Sequence, residues 1–229
     1  PNTERTLMMA TTPRTPAVRI NAADLGRGRR PGAPAKLAHI VLKTPRPTQM
    51  TEWYQTVLDA IVVFGDKRIT FLTYDDEHHR IALVHTPALL RIPGLFWALH
   101  RKFWGVDHVA FTYHDLGELI AVYRRLARAG INPVWCINHG PTTSMYYEDP
   151  DGNRLELQVD NFASNLELLG WLESGEFADN PIGVEFDPDV LERRLRGGVS
   201  IEELGKRGSA PPDGRPPRSG LRTIRWKTL

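Results

Sequence analysis

The sequence predicts an α+β fold that contains two copies of one structural unit. A short apolar segment with histidine at its third position occurs twice, at residues 37–42 and 106–111. Each segment precedes a stretch with apolar residues at helical spacing, and each stretch leads into three further strand candidates. Each unit is therefore a strand, a helix and three strands. Two such units predict paired βαβββ modules whose curled mixed sheets lie around a cleft.

The predicted elements follow from hydrophobic periodicity and turn residues. Helices are predicted over residues 48–59 and 116–129, and Gly130 is expected to end the second helix because glycine accepts a left-handed backbone. The remaining strands are predicted at residues 61–64, 69–74 and 80–85 in the first unit and 133–137, 144–147 and 154–159 in the second. The segment 149–153 is rich in Asp, Pro, Gly and Asn and predicts a turn.

Three regions are predicted along the chain. Residues 1–35 form a basic N-terminal arm, residues 36–160 form the paired domain, and residues 161–229 form a helical extension with a basic tail. Within the domain, the modules span about 36–88 and 106–160, joined by an aromatic linker at 89–105. For this linker a packed helix is favoured over a lid or a subunit contact. In the extension, Asp187 before Pro188 and Ser200 with Glu203 predict two helix starts.

Composition limits the function classes. The single cysteine, Cys136, excludes an internal disulfide framework and fits a reducing compartment. We find no apolar run of membrane-spanning length and no signal-peptide core, so a soluble cytoplasmic protein without a membrane partner is expected. The net charge is +2, with 29 Lys and Arg against 27 Asp and Glu. The basic excess lies in the two tails, but no nucleic-acid-binding motif accompanies it, so a nucleic-acid partner is not expected.

The repeat predicts a metal site. His39 and His108 occupy equivalent positions, and aligning the last strands places Ala82 opposite Glu156. Two histidines and one carboxylate form the facial triad of non-haem iron(II) oxygenases, and Ala82 leaves coordination positions open. The alternative is that the histidines are core residues and that Glu156 pairs with Arg154. The coincidence of three metal-binding side chains at equivalent positions favours the metal.

At these residues the chain resembles the vicinal oxygen chelate superfamily, which includes glyoxalase I, bleomycin-resistance proteins and type I extradiol dioxygenases. The resemblance covers residues 37–160, and the segment 146–156 matches the extradiol pattern around the carboxylate ligand. It is closest to one-domain type I extradiol dioxygenases. It implies paired βαβββ modules, an iron(II) cofactor, dioxygen as co-substrate, a catechol-type substrate and a homo-oligomeric assembly.

The resemblance also implies catalytic roles for three residues. His79 matches a histidine that assists oxygen activation, His139 resembles a substrate-contacting histidine, and Tyr146 lies at the family's tyrosine position. The stretch between His139 and Tyr146 is shorter than in two-domain members, which puts the placement of His139 in question. The alternatives are a surface position for His79, a loop-capping role for His139 and simple strand alternation for Tyr146.

The predicted function is therefore that of an iron(II)-dependent extradiol dioxygenase similar to biphenyl-2,3-diol and catechol 2,3-dioxygenases. Manganese(II) accepts the same ligands and is the alternative metal. A glyoxalase-like isomerase or transferase normally fills the fourth ligand position, so Ala82 argues against it. An aromatic- or drug-binding protein would not need the triad. Four tryptophans are candidates for an aromatic pocket or for core packing, namely Trp53, Trp97, Trp104 and Trp135.

Overall fold

A computed structural model describes Pro34 and residues 36–87 and 106–212. In the first module the elements are β1 (Ile40–Thr44), α1 (Pro47–Leu58), β2 (Ile61–Gly65), β3 (Ile69–Thr73) and β4 (Ile81–His85). In the second they are β5 (His108–Thr112), α2 (Leu116–Arg128), β6 (Trp135–Asn138), β7 (Thr142–Glu148) and β8 (Arg154–Asp160). After them come α3 (Asn165–Glu173), α4 (Glu176–Asp179), β9 (Val184–Glu185), α5 (Pro188–Arg196) and α6 (Ile201–Leu204). The predicted α+β class with two βαβββ modules and a helical extension is confirmed.

The two modules form two separate mixed sheets. The first has the strand order β1-β4-β3-β2 and the second has the order β5-β8-β7-β6-β9. In each module the first strand runs parallel to the last strand, and the other neighbours within the module are antiparallel. The extension adds β9 to the outer edge of the second sheet, antiparallel to β6. The C-terminal region is thus joined to the second module by main-chain pairing.

Sheet register confirms the internal repeat. In the first sheet Val41 lies opposite Ala82, and in the second Ala110 lies opposite Glu156. Val41 and Ala110 each lie two residues after a repeated histidine, so the predicted equivalence of Ala82 and Glu156 holds in three dimensions. Because side chains two residues apart on a strand share a face, His108 lies on the same face as Glu156.

The first strands begin later than predicted. Pairing starts at Ile40 in β1 and at His108 in β5, so His39 lies just before its strand. His39 is exposed and His108 is half-buried. Among the described strands, β1 and β5 lie at the edges of their sheets.

A shared core lies beneath the two sheets. Helix α1 buries Met50, Tyr54, Val57 and Leu58 on the face that its hydrophobic periodicity predicts. Asp115 caps the start of helix α2, because its side chain accepts from the backbone N–H of Glu118, and the chain after the helix turns at Gly130 with φ +76°. The buried side chains of both helices join those of β3, β4, β7 and β8 in one hydrophobic cluster.

Polar contacts join the first module to a turn of the second. The Tyr54 hydroxyl donates to Asp149 Oδ2 at 3.1 Å, and both groups are buried. Asp149 also accepts from the backbone N–H groups of Asp151 and Asn153 at 3.0 and 2.7 Å. Arg46 donates to the carbonyl of Pro150. Burial raises the pKa of Asp149, because the charged carboxylate loses water that these donors only partly replace.

The C-terminal extension follows its predicted helix starts. The Asp187 carboxylate accepts from the backbone N–H groups of Asp189 and Val190 at the start of α5, and the Ser200 hydroxyl accepts from Glu203 N–H at the start of α6. Both predicted caps are confirmed. The basic arm except Pro34, the linker at 89–105 and the tail after residue 212 lie outside the described residues. None of the described helices is long and apolar enough to cross a membrane.

The single cysteine lies on the core side of the second sheet. Cys136 of β6 packs against the hydrophobic cluster, and the N–H of Phe186 donates to its carbonyl at 3.2 Å. Burial, and after it the nearby charge of Asp187, raises the pKa of the Cys136 thiol. Its side chain therefore stays a protonated thiol at neutral pH.

Removal of the Tyr54 hydroxyl should weaken the junction between the modules. Tyr54→Phe keeps the buried ring but deletes one donor to Asp149, so we expect the free energy of unfolding to fall by about 1 kcal/mol. Chemical denaturation followed by circular dichroism measures this change. Gln55→Ala, at an exposed position on the same helix, should stay within about 0.5 kcal/mol of the parent. Equal stability of Tyr54→Phe and the parent would contradict a stabilising bond.

Candidate metal centre

Glu156 and His108 face each other on the open side of the second sheet. His108 Nε2 lies 3.0 Å from Glu156 Oε2, and the Glu156 side chain is only 6% exposed. A buried carboxylate is costly unless a cation, a proton donor or a metal compensates its charge. Two ligand atoms that each lie about 2.1 Å from one ion, at right angles, are about 3.0 Å apart. The observed spacing therefore fits a pair of neighbouring metal ligands.

Asp107 fixes the orientation of the His108 ring. His108 Nδ1 donates to Asp107 Oδ2 at 2.8 Å, because the carboxylate can only accept. With the proton at Nδ1, the Nε2 lone pair faces Glu156 and is available to a cation. A carboxylate behind the imidazole is the usual support of a metal-binding histidine. Arg154 Nη1 lies 3.8 Å from the same Asp107 oxygen and neutralises part of its charge.

Tyr146 and His139 lie next to the pair formed by His108 and Glu156. Tyr146 lies opposite Glu156 in the pairing of β7 with β8. His139 Nε2 lies 3.0 Å from the Tyr146 hydroxyl. Burial, and after it the charge of Glu156, raises the pKa of Tyr146, so the phenol keeps its proton at neutral pH. The centroid of the Trp135 ring lies 5.1 Å from that of the Tyr146 ring, so Trp135 borders this cluster of side chains.

The first module carries a second group, which contains His39 and His79. The two imidazole rings lie 4.4 Å apart, and His79 stacks on Phe71 with ring centroids 4.4 Å apart and an interplanar angle of 12°. Burial, and after it the charges of His39 and His78, lowers the pKa of His79. His79 is therefore a neutral imidazole at neutral pH.

Arg80 anchors the backbone that leads to His39. Its Nη1 donates to the carbonyls of Leu37 and Ala38 at 2.9 and 3.0 Å, and its Nε and Nη2 are held by the Asp75 carboxylate at 2.9 Å. Arg80 and Arg154 are equivalent in the repeat. Each of these arginines thus acts at the segment just before one of the two repeated histidines.

The structure brings together some of the predicted site residues and not others. Predicted ligands His108 and Glu156 lie with Tyr146 and His139 in the second module, whereas His39 lies with His79 in the first. Within residues 36–87 and 106–212, no three His, Cys, Asp or Glu side chains are gathered closely enough to hold one metal ion. His108 and Glu156 offer the imidazole nitrogen and carboxylate oxygen that the predicted metal centre requires. The participation of His39 as the third ligand stays a prediction.

Comparison with known proteins identifies the family. The profile of the Glyoxalase/Bleomycin resistance protein/Dioxygenase superfamily matches residues 36–157, which is more than half of the chain. The chain belongs to this superfamily. The resemblance inferred from residues 37–160 is thereby confirmed. The matched range contains all of the predicted metal ligands and all of the predicted catalytic residues of this superfamily member.

Two curated members of the superfamily are similar over most of their length. Biphenyl-2,3-diol 1,2-dioxygenase 2 of Rhodococcus globerulus is 42% identical over 174 residues, covering 75% of this chain and 87% of that protein. Biphenyl-2,3-diol 1,2-dioxygenase 3 of the same organism is 42% identical over 178 residues, covering 76% and 90%. A solved domain of the superfamily from Frankia sp. EAN1pec is 19% identical, with a TM-score of 0.45, and covers 59% of this chain and 99% of that one.

Sequence reasoning missed Asp107 and left the role of Trp135 open. Asp107 precedes the second repeated histidine, and its signal was the contrast with Ala38 at the equivalent position of the first copy. Trp135 was one of four tryptophans left open between pocket and core, and it lies beside Tyr146 and His139. By contrast, Trp53 packs against the hydrophobic cluster, as the core alternative predicted. Trp97 and Trp104 lie outside the described residues.

Loss of the Asp107 carboxylate should weaken metal binding without unfolding the protein. We expect Asp107→Ala to reduce affinity for a divalent metal about ten- to a hundredfold, because the His108 ring loses its fixed orientation. Anaerobic calorimetric titration of the full chain with iron(II) or manganese(II) measures the affinity. Asp160→Asn, at an exposed position of β8, is the matched control and should bind as the parent does. Unchanged affinity in Asp107→Ala would exclude this role.

Proposed function

We propose that this chain is an iron(II)-dependent extradiol dioxygenase that opens a catechol-type ring with dioxygen. The proposal is carried by its 42% identity to two biphenyl-2,3-diol 1,2-dioxygenases, of which it covers 87% and 90%. The pairing of His108 with Glu156 beside Tyr146 supports it, because a dioxygenase of this kind needs a cation next to proton-transfer groups. The substrate class is a small aromatic diol.

His39, His108 and Glu156 would hold the metal, with His39 supplied by the first module. When bound, iron(II) supplies a centre at which the diol and dioxygen meet and through which electrons pass from the ring to dioxygen. Ala82 stands where the repeat would place a fourth ligand, and its methyl group has no donor atom. The protein would then contribute three ligands and leave the remaining positions to the substrates.

Tyr146 and His139 would orient the diol. The protonated Tyr146 phenol can donate to a substrate oxygen that carries negative charge, and this interaction stabilises the ionised diol. His139 Nε2 lies 3.0 Å from the Tyr146 hydroxyl, so a proton that the diol releases to this hydroxyl can pass on to His139. The Trp135 ring offers an apolar surface to the aromatic substrate on the same side.

His79 would serve the opposite side of the substrate. Its imidazole is neutral, because its pKa is lowered, and Phe71 fixes the plane of its ring. A neutral imidazole can donate a hydrogen bond and pass on a proton during bond cleavage without adding a fixed charge. Module one thus contributes proton transfer, and module two contributes substrate orientation.

The proposed activity is tested directly by oxygen consumption. The full chain is purified without oxygen, its metal content is determined by elemental analysis, and iron(II) is added. A panel of catechols that includes biphenyl-2,3-diol is then supplied with dioxygen. We expect loss of dissolved oxygen together with a yellow ring-opened product. Absence of oxygen uptake by iron-loaded protein across the panel would refute the dioxygenase assignment and leave a binding protein or an isomerase of the same superfamily.

Removal of any proposed ligand should abolish both iron retention and turnover. His39→Ala, His108→Ala and Glu156→Ala each delete one of three donors, and two remaining donors hold the ion too weakly. Elemental analysis after gel filtration measures the iron. His114→Ala changes an exposed histidine in the loop before α2 and should retain parental iron and activity. Full iron content in His39→Ala would exclude His39 from the ligand set.

Replacement of His79 should separate iron binding from turnover. His79→Phe keeps an aromatic ring against Phe71 but cannot transfer a proton, so we expect iron to be retained and turnover to fall by roughly a hundredfold or more. Oxygen-electrode kinetics under saturating catechol measure the loss. His79→Gln, which still donates a hydrogen bond, should lose less activity than His79→Phe. Parental oxygen uptake in both variants would rule out a role in proton transfer.

A further inference from the structure

The C-terminal extension contacts the loop that carries His139. The Arg207 guanidinium donates through Nη2 to the His139 carbonyl and through Nη1 to the Glu176 carbonyl at 3.3 Å. The same guanidinium lies 4.8 Å above the Trp171 ring, where a cation is attracted to the aromatic face. One side chain of the extension thus contacts both the backbone of His139 and the helices that cover it.

Two glycines allow the extension to approach this loop. Gly140 has φ +101°, and a Cβ built there would lie 2.3 Å from the edge of the Trp171 ring. Gly183 has φ +115°, and a Cβ there would lie 2.3 Å from the Asn138 carbonyl oxygen. Neither position tolerates a side chain, because both the backbone conformation and the space exclude one. The contact between extension and loop is therefore close on both sides of His139.

This close contact determines which ring nitrogen of His139 carries the proton. The Ile182 carbonyl lies 2.5 Å from His139 Nδ1. A carbonyl oxygen only accepts hydrogen bonds, so Nδ1 must be the donor. In the neutral ring, Nε2 is then the acceptor, and it is this atom that lies 3.0 Å from the Tyr146 hydroxyl.

We infer that the extension is part of the active site and that Arg207 is a positioning residue acting through His139. By fixing the His139 backbone against the Ile182 carbonyl, Arg207 selects the tautomer that presents an accepting Nε2 to Tyr146. The inference rests on the proposed function for its catalytic consequence, but not for the tautomer itself. A guanidinium can donate to the His139 and Glu176 carbonyls at the same time. A lysine ammonium at this position would replace it less well.

Kinetics in the iron-loaded full chain test the catalytic part. Arg207→Ala should lower kcat/KM for a catechol about ten- to a hundredfold, the scale expected when a substrate-contacting group moves by about 1 Å. Arg207→Lys keeps the charge and one donor and should recover part of the loss. In a His139→Ala background, Arg207→Ala should change kcat/KM by less than about twofold, because the residue through which it acts is absent.

A stability control separates positioning from simple anchoring. Arg194 donates to the Ser209 carbonyl and holds the same terminal segment without contacting the His139 loop. Arg194→Ala should therefore lower the melting temperature as Arg207→Ala does, while its effect on kcat/KM stays the same with or without His139. Should Arg207→Ala fail to fold, Trp171→Phe removes the ring edge beside Gly140 and should give a smaller loss that likewise depends on His139.

The tautomer is measured independently of activity. In the full chain labelled with 15N-histidine and kept free of iron, long-range proton–nitrogen correlations report which ring nitrogen is protonated. The His139 signals are assigned by their absence in His139→Gln. We expect the Nδ1-protonated form in the parent and a mixture of tautomers in Arg207→Ala.

Opposite results overturn the inference. An Nε2-protonated ring in the parent, unchanged His139 signals in Arg207→Ala, or additive kinetic losses in the double variant would each refute positioning by Arg207. If the parent shows the expected tautomer but consumes no oxygen with any catechol, the positioning contact stands and the proposed function falls. If the parent turns over catechols but lacks the expected tautomer, the proposed function stands and the positioning role of Arg207 is refuted.

Discussion

The site depends on one electrostatic constraint, the burial of the Glu156 carboxylate within the second sheet. A charge shielded from water in this way needs compensation, and the neighbouring side chains define the position at which a cation would supply it. His108 approaches from the parallel strand β5 and Tyr146 from the antiparallel strand β7. Asp107 then fixes the His108 ring, and His139 accepts at the Tyr146 hydroxyl. These side chains are all arranged around the buried Glu156 carboxylate.

Duplication gives the two modules the same geometry but different chemistry. Both place a histidine next to the parallel strand pair, and both place an arginine beside that histidine. In the second module the partner position holds Glu156, and in the first it holds Ala82. The first module carries instead a neutral His79 stacked on an aromatic ring. One copy thus concentrates negative charge and the other provides an apolar surface with a proton-transfer group.

Much of this organisation was predictable because it is encoded locally. The alternation of strands, the helical spacing and the caps at Asp187 and Ser200 involve residues close in sequence, and the repeat aligns Ala82 with Glu156 without any structure. The exposure of His39 was not predictable, since it depends on where the pairing of β1 with β4 begins, at Ile40. The contacts that hold His139 could not be predicted from the sequence either. Its donor at Arg207 lies 68 residues away, and a main-chain carbonyl, as at Ile182, has no sequence signal.

The environment of Cys136 has a consequence for the durability of a protein proposed to work with dioxygen. The thiolate rather than the thiol is the form that reacts with oxidants and alkylating agents. With its thiol kept protonated against the apolar interior, the chain's one sulfhydryl is poorly reactive towards the peroxides that accompany oxygen chemistry. Inactivation in air would then proceed through the metal site, and storage conditions that protect iron(II) matter more than those that protect thiols.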